Sequence, residues 1–219
     1  MKKNNSEQPY TKSPNIRNYD HDGLRTDIMD YAWGEFVRIG IKRVKMDDLS
    51  AHFSISKRTL YEMFEDKETL VVECFKHMIA KNEADIEDAL LHSSNSVEAC
   101  MKLFVRRLKD SEGVSQAFFK EMFRYPKLMD FLDSTSEQRS KRTLEVLKQC
   151  IDDGYLRPDL NYKMLVEAYT IQFTSIIKLG FYEKYKFTDI MNSLHLVAFR
   201  GCCTAKGLEV IDRYMKQAD

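Results

Sequence analysis

The stretch VKMDDLSAHFSISKRTLYEMF, residues 44–64, decides the fold. Its apolar residues have helical spacing on both sides of the tripeptide Ser54-Ile55-Ser56. This pattern predicts two short helices, at about 46–53 and 57–64, joined by a three-residue turn, with Ser56 as N-cap of the second helix. Two short helices joined in this way form a helix-turn-helix, whose second helix enters the major groove of duplex DNA.

The same apolar periodicity predicts helices throughout the rest of the chain. A helix from about Leu24 precedes the motif and ends at Gly40, because glycine adopts the left-handed conformation of a helix C-terminus without steric cost. Asp66 is placed to cap a long fourth helix that runs toward His92. Further helices are predicted at about 96–109, 113–123, 125–132, 136–152, 160–180 and 188–216. Since no alternating strand pattern and no internal repeat is found, the predicted fold class is all-α, with about nine helices.

The composition excludes several classes of protein. The 219 residues contain 34 basic and 34 acidic side chains, so any binding of nucleic acid depends on a local basic surface. A hydrophobic content of 43% is too high for a disordered chain. No apolar run is long enough to span a membrane, and no signal peptide is recognisable. The five cysteines contain no CxxC pair and fit a reducing compartment, so we expect a cytoplasmic protein with no membrane contact.

Three segments are predicted along the chain. Residues 1–22 are polar and lack periodicity, so we expect a flexible arm. Residues 23–70 contain the helix-turn-helix, and residues 71–219 form a larger helical domain that holds most of the aromatic residues and methionines. The residues predicted to form the core of the smaller domain are Leu49, Phe53, Ile55, Leu60 and Phe64, with Trp33 packed nearby.

The helix-turn-helix segment has a local positive charge. Between Phe36 and Leu60, six basic residues stand against two acidic ones, a local net charge of +4 in a neutral chain. Each basic residue near a phosphate releases a condensed counterion and so adds affinity for DNA. In the second helix, Arg58 suits a bidentate bond to guanine and Thr59 suits contact with a thymine methyl group. Ser56 is expected to offer its hydroxyl or backbone N–H group to a phosphate.

The chain resembles the TetR family of bacterial transcriptional regulators over about 50 residues, with the family's spacing and no insertion. The matching positions are Phe36, Gly40, Val44 to Ser50, Ser54 to Tyr61, Phe64, Lys67 and Leu70. Two positions depart from the family pattern. Val44-Lys45 replaces a Thr-Thr pair, so that Lys45 would substitute a charged phosphate contact for a hydroxyl contact. Ser54 replaces a turn glycine and is expected to tolerate the left-handed backbone less well.

The resemblance implies a DNA-binding transcriptional regulator, most simply a ligand-responsive homodimeric repressor. The implied partners are a palindromic double-stranded DNA operator, an unidentified small-molecule inducer and a second copy of the chain. Residues 71–219 would bind the inducer and form the dimer, while Tyr61 and Lys67 match family positions that touch phosphates. The complete set predicted to contact DNA is Lys45, Met46, Ser56, Lys57, Arg58, Thr59, Tyr61 and Lys67.

The larger domain offers two candidate sites. Seven residues at helical spacing are candidates for lining a ligand pocket, with ordinary core packing as the alternative: Phe104, Phe118, Phe119, Met122, Phe123, Tyr169 and Phe173. A stripe of apolar and small residues is the candidate dimer interface: Ile190, Leu194, Val197, Gly201, Ala205 and Leu208. His92 and His195 are interpreted as ordinary surface or core residues rather than polar pocket groups. The adjacent Cys202 and Cys203 lack further ligands nearby, so no metal site is expected.

Two other classes of function are weighed against the regulator. The sequence contains no G-x-S-x-G, HExxH or phosphate-binding loop, so we expect neither an enzyme nor a cofactor. The alternative is a helical adaptor whose helix-turn-helix binds protein instead of DNA. An adaptor would bind DNA weakly and with little dependence on salt, whereas a regulator would bind it with a steep salt dependence.

Overall fold

A computed structural model describes residues 21–218, whose regular secondary structure is helical apart from one isolated antiparallel bridge. The first nine helices are α1 (His21–Ile39), α2 (Met46–His52), α3 (Lys57–Phe64), α4 (Lys67–Leu91), α5 (Ser96–Ser111), α6 (Gln116–Met122), α7 (Pro126–Ser134), α8 (Ser136–Asp152) and α9 (Tyr162–Lys178). Helix α10 is continuous through the segments Phe187–Ile190, Met191–Leu196 and Val197–Cys202, of which the middle one is a π-helix, and α11 is Ala205–Ala218. A 3₁₀ turn, Phe181–Glu183, precedes α10. The all-α prediction is confirmed, and this part of the chain has eleven helices rather than about nine.

The first helix ends where the sequence predicts and begins earlier. Gly40 has a left-handed φ of 91° and donates its amide to the carbonyl of Phe36 at 2.9 Å. A Cβ atom on this glycine would lie 2.7 Å from the Cβ of Ala117, so the absent side chain also lets α6 approach α1. Because α1 starts at His21, the last two residues of the predicted arm are helical, and residues 1–20 lie outside the described range.

Local capping bonds fix the helix-turn-helix at the predicted positions. The hydroxyl of Ser56 accepts the amide of Thr59 at 3.0 Å, and the carboxylate of Asp66 accepts the amide of Thr69 at 2.6 Å. Each bond satisfies an amide that has no partner within the first turn of its helix. Ser54 adopts a left-handed φ of 53° in the turn between α2 and α3, the conformation for which glycine is the usual residue.

The core of the helix-turn-helix continues into the rest of the molecule. Four of the five predicted core residues are buried, and Ile55 packs against them half-buried. Trp33 packs edge-on against Phe75 of α4 and Phe118 of α6, with ring centroids 5.0 and 5.5 Å apart. Helices α6 and α7 therefore share one apolar cluster with α1 to α4. A second cluster lies between α5, α8 and α11 and includes Val97, Met101, Phe104, Cys150 and Ile211.

The predicted helix over 188–216 is broken, which corrects the sequence prediction. Cys203 is extended and pairs with Leu156 in an antiparallel bridge. The amide of Thr204 donates to the carbonyl of Tyr155 at 2.9 Å. These bonds to the segment after α8 take up backbone groups that a continuous helix would use, so α10 and α11 are separate helices. Within the described residues, no helix combines the length and the apolar character that crossing a membrane requires.

Candidate nucleic-acid interface

Helix α3 presents its first turn to solvent. Leu60, Met63 and Phe64 are buried in the core and hold one face of the helix. At the start of the helix, the side chains of Lys57 and Arg58 are 64% and 87% exposed. Two of the side chains predicted to contact DNA therefore stand side by side at the exposed start of this helix.

Ser56 and Thr59 stabilise the start of α3 through their hydroxyl groups. The Ser56 hydroxyl, which accepts the Thr59 amide, lies 2.8 Å from the Thr59 hydroxyl and shares a hydrogen bond with it. Both hydroxyls are therefore engaged inside the first turn. The amides of Lys57 and Arg58 precede the first turn of intrahelical bonds, so they are the backbone donors best placed for an anion.

The two basic side chains of this turn are each paired with a carboxylate. Lys57 Nζ lies 2.7 Å from Asp47 Oδ2 of α2, and Arg58 Nε lies 2.8 Å from Glu62 Oε1 one turn further along α3. The hydrogen bond to Asp47 raises the pKa of Lys57. Exposed ion pairs contribute little to stability, so either cation can exchange its carboxylate for a phosphate or a base edge. The i,i+4 spacing of Arg58 and Glu62 is a signal in the sequence that our interpretation missed.

The remaining residues predicted to contact DNA have different environments. Lys45 is exposed at the N-cap of α2, and Tyr61 is 44% exposed on α3. Lys67 Nζ donates to the carbonyl of Lys42 at 3.2 Å, and burial lowers the pKa of this lysine. Met46 requires a correction, because its side chain is 7% exposed and belongs to the apolar core. The apolar face of α2 packs inward against α3 and carries Met46 with it.

The segment between α1 and α2 adds basic side chains that the predicted set leaves out. Lys42 and Arg43 are exposed, and neither side chain has a carboxylate within ion-pair distance in the described part of the chain. The backbone of this segment is fixed, since the amide of Lys42 donates to the Glu121 carboxylate of α6 at 2.6 Å. Together with Lys45, these residues form a basic segment next to α2, and the sequence KRVK signals it.

Contacts between α4 and α7 join the interface to the larger part of the molecule. Lys127 of α7 lies 2.8 Å from the Asp66 carboxylate, and its amide donates to Glu68 at 2.8 Å. The Lys127 ammonium and the Thr69 amide lower the pKa of Asp66 to about 2. The residue that caps α4 is therefore also the residue that ties α4 to α7.

A cavity of about 370 Å³ lies between α4, α5, α8 and α10. Of the seven predicted pocket residues, only Phe104 lines it. Tyr169 reaches the lining through its hydroxyl, which shares a 2.9 Å hydrogen bond with His195 Nδ1. His195 itself lines the cavity and stacks on Phe104, with ring centroids 5.3 Å apart. Removal of its ring from water lowers the pKa of His195 to about 4, so the ring is neutral at pH 7.

The other predicted pocket residues pack into the first apolar cluster, away from this cavity. Phe118 and Phe119 are buried in that cluster, and the half-buried members packed against it are Met122, Phe123 and Phe173. Phe119 and Phe123 also line a more open depression of about 430 Å³ beside Gly180. Aromatic residues at helical spacing serve the core between α1, α6 and α9, which is the alternative that the sequence left open.

The predicted dimer stripe divides between the interior and the surface. Ile190 is buried, and Leu194 and Leu208 are half-buried. The exposed members are Val197, Gly201 and Ala205. Helix α9 and the residue that follows it add exposed apolar side chains that the predicted set missed: Met164, Ile171 and Leu179, which are 57, 68 and 74% exposed. Their spacing of seven and eight residues places them on one face, which is the signal that sequence reasoning could have used.

Known proteins resemble this chain in sequence and in fold. The family model described as "Bacterial regulatory proteins, tetR family" matches residues 28–74. The chain is similar to the HTH-type transcriptional repressor KstR2 of Mycobacterium tuberculosis, at 23% identity over 147 residues, which are 64% of this chain and 73% of the relative. Its fold is similar to that of a TetR-family transcriptional regulator from Agrobacterium tumefaciens, with a TM-score of 0.63 at 14% identity, covering 84% of this chain and 100% of the other. It is also similar to the fold of a regulator from Saccharomonospora viridis in complex with choline, with a TM-score of 0.60 at 17% identity, covering 82% and 96%.

Proposed function

Since the chain belongs to the TetR family of bacterial regulatory proteins and is a DNA-binding transcriptional regulator, we propose that it is a ligand-responsive homodimeric repressor of a palindromic operator. The observation that carries the proposal is the exposed first turn of α3, where Lys57 and Arg58 project from a helix anchored in the core. We assign residues 23–70 to DNA binding and residues 71–219 to ligand binding and dimerisation.

Contacts to the operator divide into two kinds. Arg58 and Thr59 contact base edges in the major groove, and Lys57 contacts base edges or the adjacent phosphates. The exposed Lys45 and Tyr61 contact phosphates and so fix the orientation of α3 on the duplex. Lys67 acts indirectly, because its ammonium holds the carbonyl of Lys42 in the basic segment.

Dimerisation uses the exposed apolar face of α9 and α10. Ile171 and Met164 of α9 and Val197 of α10 are more than half exposed, and several exposed apolar side chains on neighbouring helices are typical of an interaction surface. A two-fold axis through this face gives two copies of α3 that contact successive major grooves, about 34 Å or one helical turn apart, or somewhat more.

Helix α4 connects the cavity to the operator contacts. Lys67 begins it beside the basic segment, and Ile79, which lines the cavity, follows about 18 Å further along the helix axis. A ligand that binds better to one arrangement of α4, α5 and α8 shifts the population toward that arrangement. The spacing of the two α3 helices then changes, and the affinity for the operator falls by at most the ratio of the two ligand affinities.

The test of DNA recognition is fluorescence anisotropy of the purified protein on duplexes from the region upstream of its gene. Salt is varied from about 50 to 200 mM, and a shuffled duplex is the control. We expect tight, sequence-dependent binding with a steep salt slope. If upstream duplexes bind no better than shuffled ones, selection from a random pool identifies the operator. A pool that yields no enriched sequence contradicts the proposal and favours the adaptor.

The dimer is tested by Ile171→Asp, with Leu91→Asp as a matched control. Both leucine-sized side chains are exposed, at 68% and 77%, but Leu91 is the last residue of α4 and does not belong to the proposed face. In light scattering we expect Ile171→Asp to be monomeric and Leu91→Asp to remain dimeric. Loss of the dimer should also abolish tight operator binding, because one copy of α3 contacts only half of the site.

A further inference from the structure

The cavity between α4, α5, α8 and α10 has a mainly apolar lining with a charged portion. The apolar part comes from all four helices: Ile79, Ile86, Phe104, Leu147 and Phe199. Its volume of about 370 Å³ lies within the range of about 300–1,000 Å³ that small-molecule pockets occupy. The charged side chains that line it are Glu83, Arg107, Arg139 and Arg142. Among the described residues, this small cavity therefore brings three guanidinium groups together with one carboxylate.

Arg139 has a buried N–H group that lacks a hydrogen-bond partner in the described chain. Its Nη2 atom donates to the carbonyl of Leu132 at 2.6 Å, which holds the side chain against the end of α7. Its Nε atom is buried, and within residues 21–218 it has no hydrogen-bond partner. An unpaired guanidinium N–H out of contact with water is unfavourable, so an acceptor in the cavity would remove that penalty. Burial also lowers the pKa of Arg139, which is the electrostatic effect of the same environment.

The other two arginines differ in their partners. Arg142 is fully compensated, because Glu83, Glu87 and Glu145 all lie within ion-pair distance of its guanidinium. Glu83, the one carboxylate that lines the cavity, is thereby occupied. Arg107 is exposed and has no carboxylate partner among the residues that the structure describes. Arg107 and Arg139 therefore have no carboxylate within ion-pair distance among the described residues, and the only carboxylate charge that acts on Arg139 in this part of the chain is that of Asp133.

We propose that this cavity binds an amphipathic organic anion, with its apolar body between α4, α5, α8 and α10 and its carboxylate or phosphate accepting from Arg139. Arg107 supplies the second positive charge. This inference rests on the proposed ligand-responsive function, and it adds the chemical class of the ligand. A cation is disfavoured by the two guanidinium groups, and a neutral alcohol would leave both of them without an ion-pair partner.

Direct binding measured by calorimetry in the absence of DNA tests the charge of the ligand. The probes are decanoate, decyl phosphate and the neutral 1-decanol, which share one apolar chain. We expect at least one of the two anions to bind at least tenfold more tightly than 1-decanol, and the tighter anion assigns the headgroup. If 1-decanol binds as tightly as both anions, or if none of the three probes binds, the proposal is wrong.

Substitutions locate the headgroup. Arg139→Met should weaken binding of the anion at least tenfold and leave binding of 1-decanol unchanged. Arg107→Met should weaken binding of the anion about threefold to tenfold, and we expect this variant to keep the fold because the side chain has no hydrogen-bond or ion-pair partner within residues 21–218. The matched control is Lys141→Met, an exposed cation of α8 that does not line the cavity. Unchanged anion affinity in both arginine variants would overturn the assignment, and thermal melts identify any variant that fails to fold.

The two proposals fail separately in this design. Calorimetry without DNA reports the anion site alone, and anisotropy without ligand reports operator binding alone. If the protein binds decanoate through Arg139 but selects no DNA sequence, the anion site is supported and the repressor proposal is wrong. If the protein binds its operator but does not distinguish decanoate from 1-decanol, the repressor proposal is supported and the anion site is wrong.

Discussion

Helix α3 and the cavity both carry arginine, and they differ in how its charge is compensated. At the start of α3, Arg58 is 87% exposed and bonds to Glu62, a carboxylate one turn away on the same helix. In the cavity, Arg139 has a buried Nε atom without a partner in the described chain. The first arrangement keeps a cation available at the surface at little energetic cost, since water solvates both partners whenever they separate. In the second arrangement, the Nε–H group of Arg139 lacks an acceptor, which only another molecule or a rearrangement of the protein can supply.

This contrast suggests different physical bases for the two kinds of binding. Under the proposed function, binding of DNA at α3 would exchange one set of surface ion pairs for another, so its affinity would depend mainly on counterion release and on salt. Binding of an anion in the cavity adds a partner to the buried Nε atom of Arg139, so its affinity depends less on salt. Variants that alter one charge at a time in each region test this difference.

The largest expected effect is the loss of operator binding in Lys57→Ala/Arg58→Ala. Removing two cations from the first turn of α3 should reduce operator affinity about 100-fold to 1,000-fold and lower the salt slope by up to about two. The matched control is Lys141→Ala/Lys148→Ala on α8, which removes two exposed cations far along the chain from the helix-turn-helix. Anisotropy as a function of salt measures both quantities. Equal salt slopes for the double variant and the unmodified protein would show that α3 does not contact DNA.

How well each region can be predicted from the sequence depends on how far apart along the chain the interacting residues are. The helix-turn-helix could be placed within a residue or two because Ser56 and Asp66 accept amides only three positions away. The cavity could not be predicted, because Arg107 and Arg139 line it together only through the packing of α5 against α8, and nothing in the neighbouring sequence marks either arginine as a lining residue. The break at Cys203 has the same origin, since it depends on a bridge to Leu156, 47 positions earlier.

The second prediction concerns the titration of His195 at the cavity. Its pKa of about 4 in the folded protein lies below the ordinary value of 6.5, so between these values the unfolded chain binds a proton that the folded chain does not. The free energy of unfolding should therefore fall as the pH decreases from about 6.5 to about 4, by about 3 kcal/mol. Tyr169 and Arg107 face the ring, and burial raises the pKa of Tyr169 to about 12, well above this window. Urea unfolding at several pH values measures the slope.

His195→Gln is the matched variant, because glutamine keeps a hydrogen-bonding group toward Tyr169 and does not titrate. We expect its free energy of unfolding to lack the part of the pH dependence that belongs to His195. A variant with the same slope as the unmodified protein between pH 6.5 and 4 would show that the ring is hydrated and that the cavity is open to water.

The third prediction concerns Asp66, which lies between the two regions. Asp66→Ala removes the N-cap of α4 and the ion pair to Lys127, and should lower the free energy of unfolding by about 1–2 kcal/mol. Asp66→Asn keeps the cap and removes only the charge, so its loss should be smaller. Because the pKa of Asp66 is lowered to about 2, its charge stabilises the fold above pH 3.8 and this contribution disappears as the pH falls toward 2. The difference between the unmodified protein and Asp66→Asn should disappear over the same range, and urea unfolding at pH 2 to 5 measures it.

The smallest expected effect follows from the carboxylates that pair with the cations of α3. Asp47→Asn/Glu62→Gln removes the groups that DNA must displace from Lys57 and Arg58, and it also removes two negative charges from the surface that faces the phosphates. Operator affinity should rise about twofold to tenfold, because exposed pairs of this kind are individually weak. The gain should also appear on the shuffled duplex, since loss of repulsion acts on any phosphate backbone, and anisotropy on both duplexes measures it.

The ratio of the two gains then identifies what the carboxylates do. A larger gain on the operator means that Glu62 holds Arg58 away from a base edge, and an equal gain means that the effect is purely electrostatic. Because Asp47 and Glu62 are both more than half exposed, their replacement should leave the thermal melting temperature nearly unchanged. A fall in operator affinity would instead show that the paired carboxylates orient Lys57 and Arg58 for binding, and that the first turn of α3 is preorganised like the cavity rather than exchangeable.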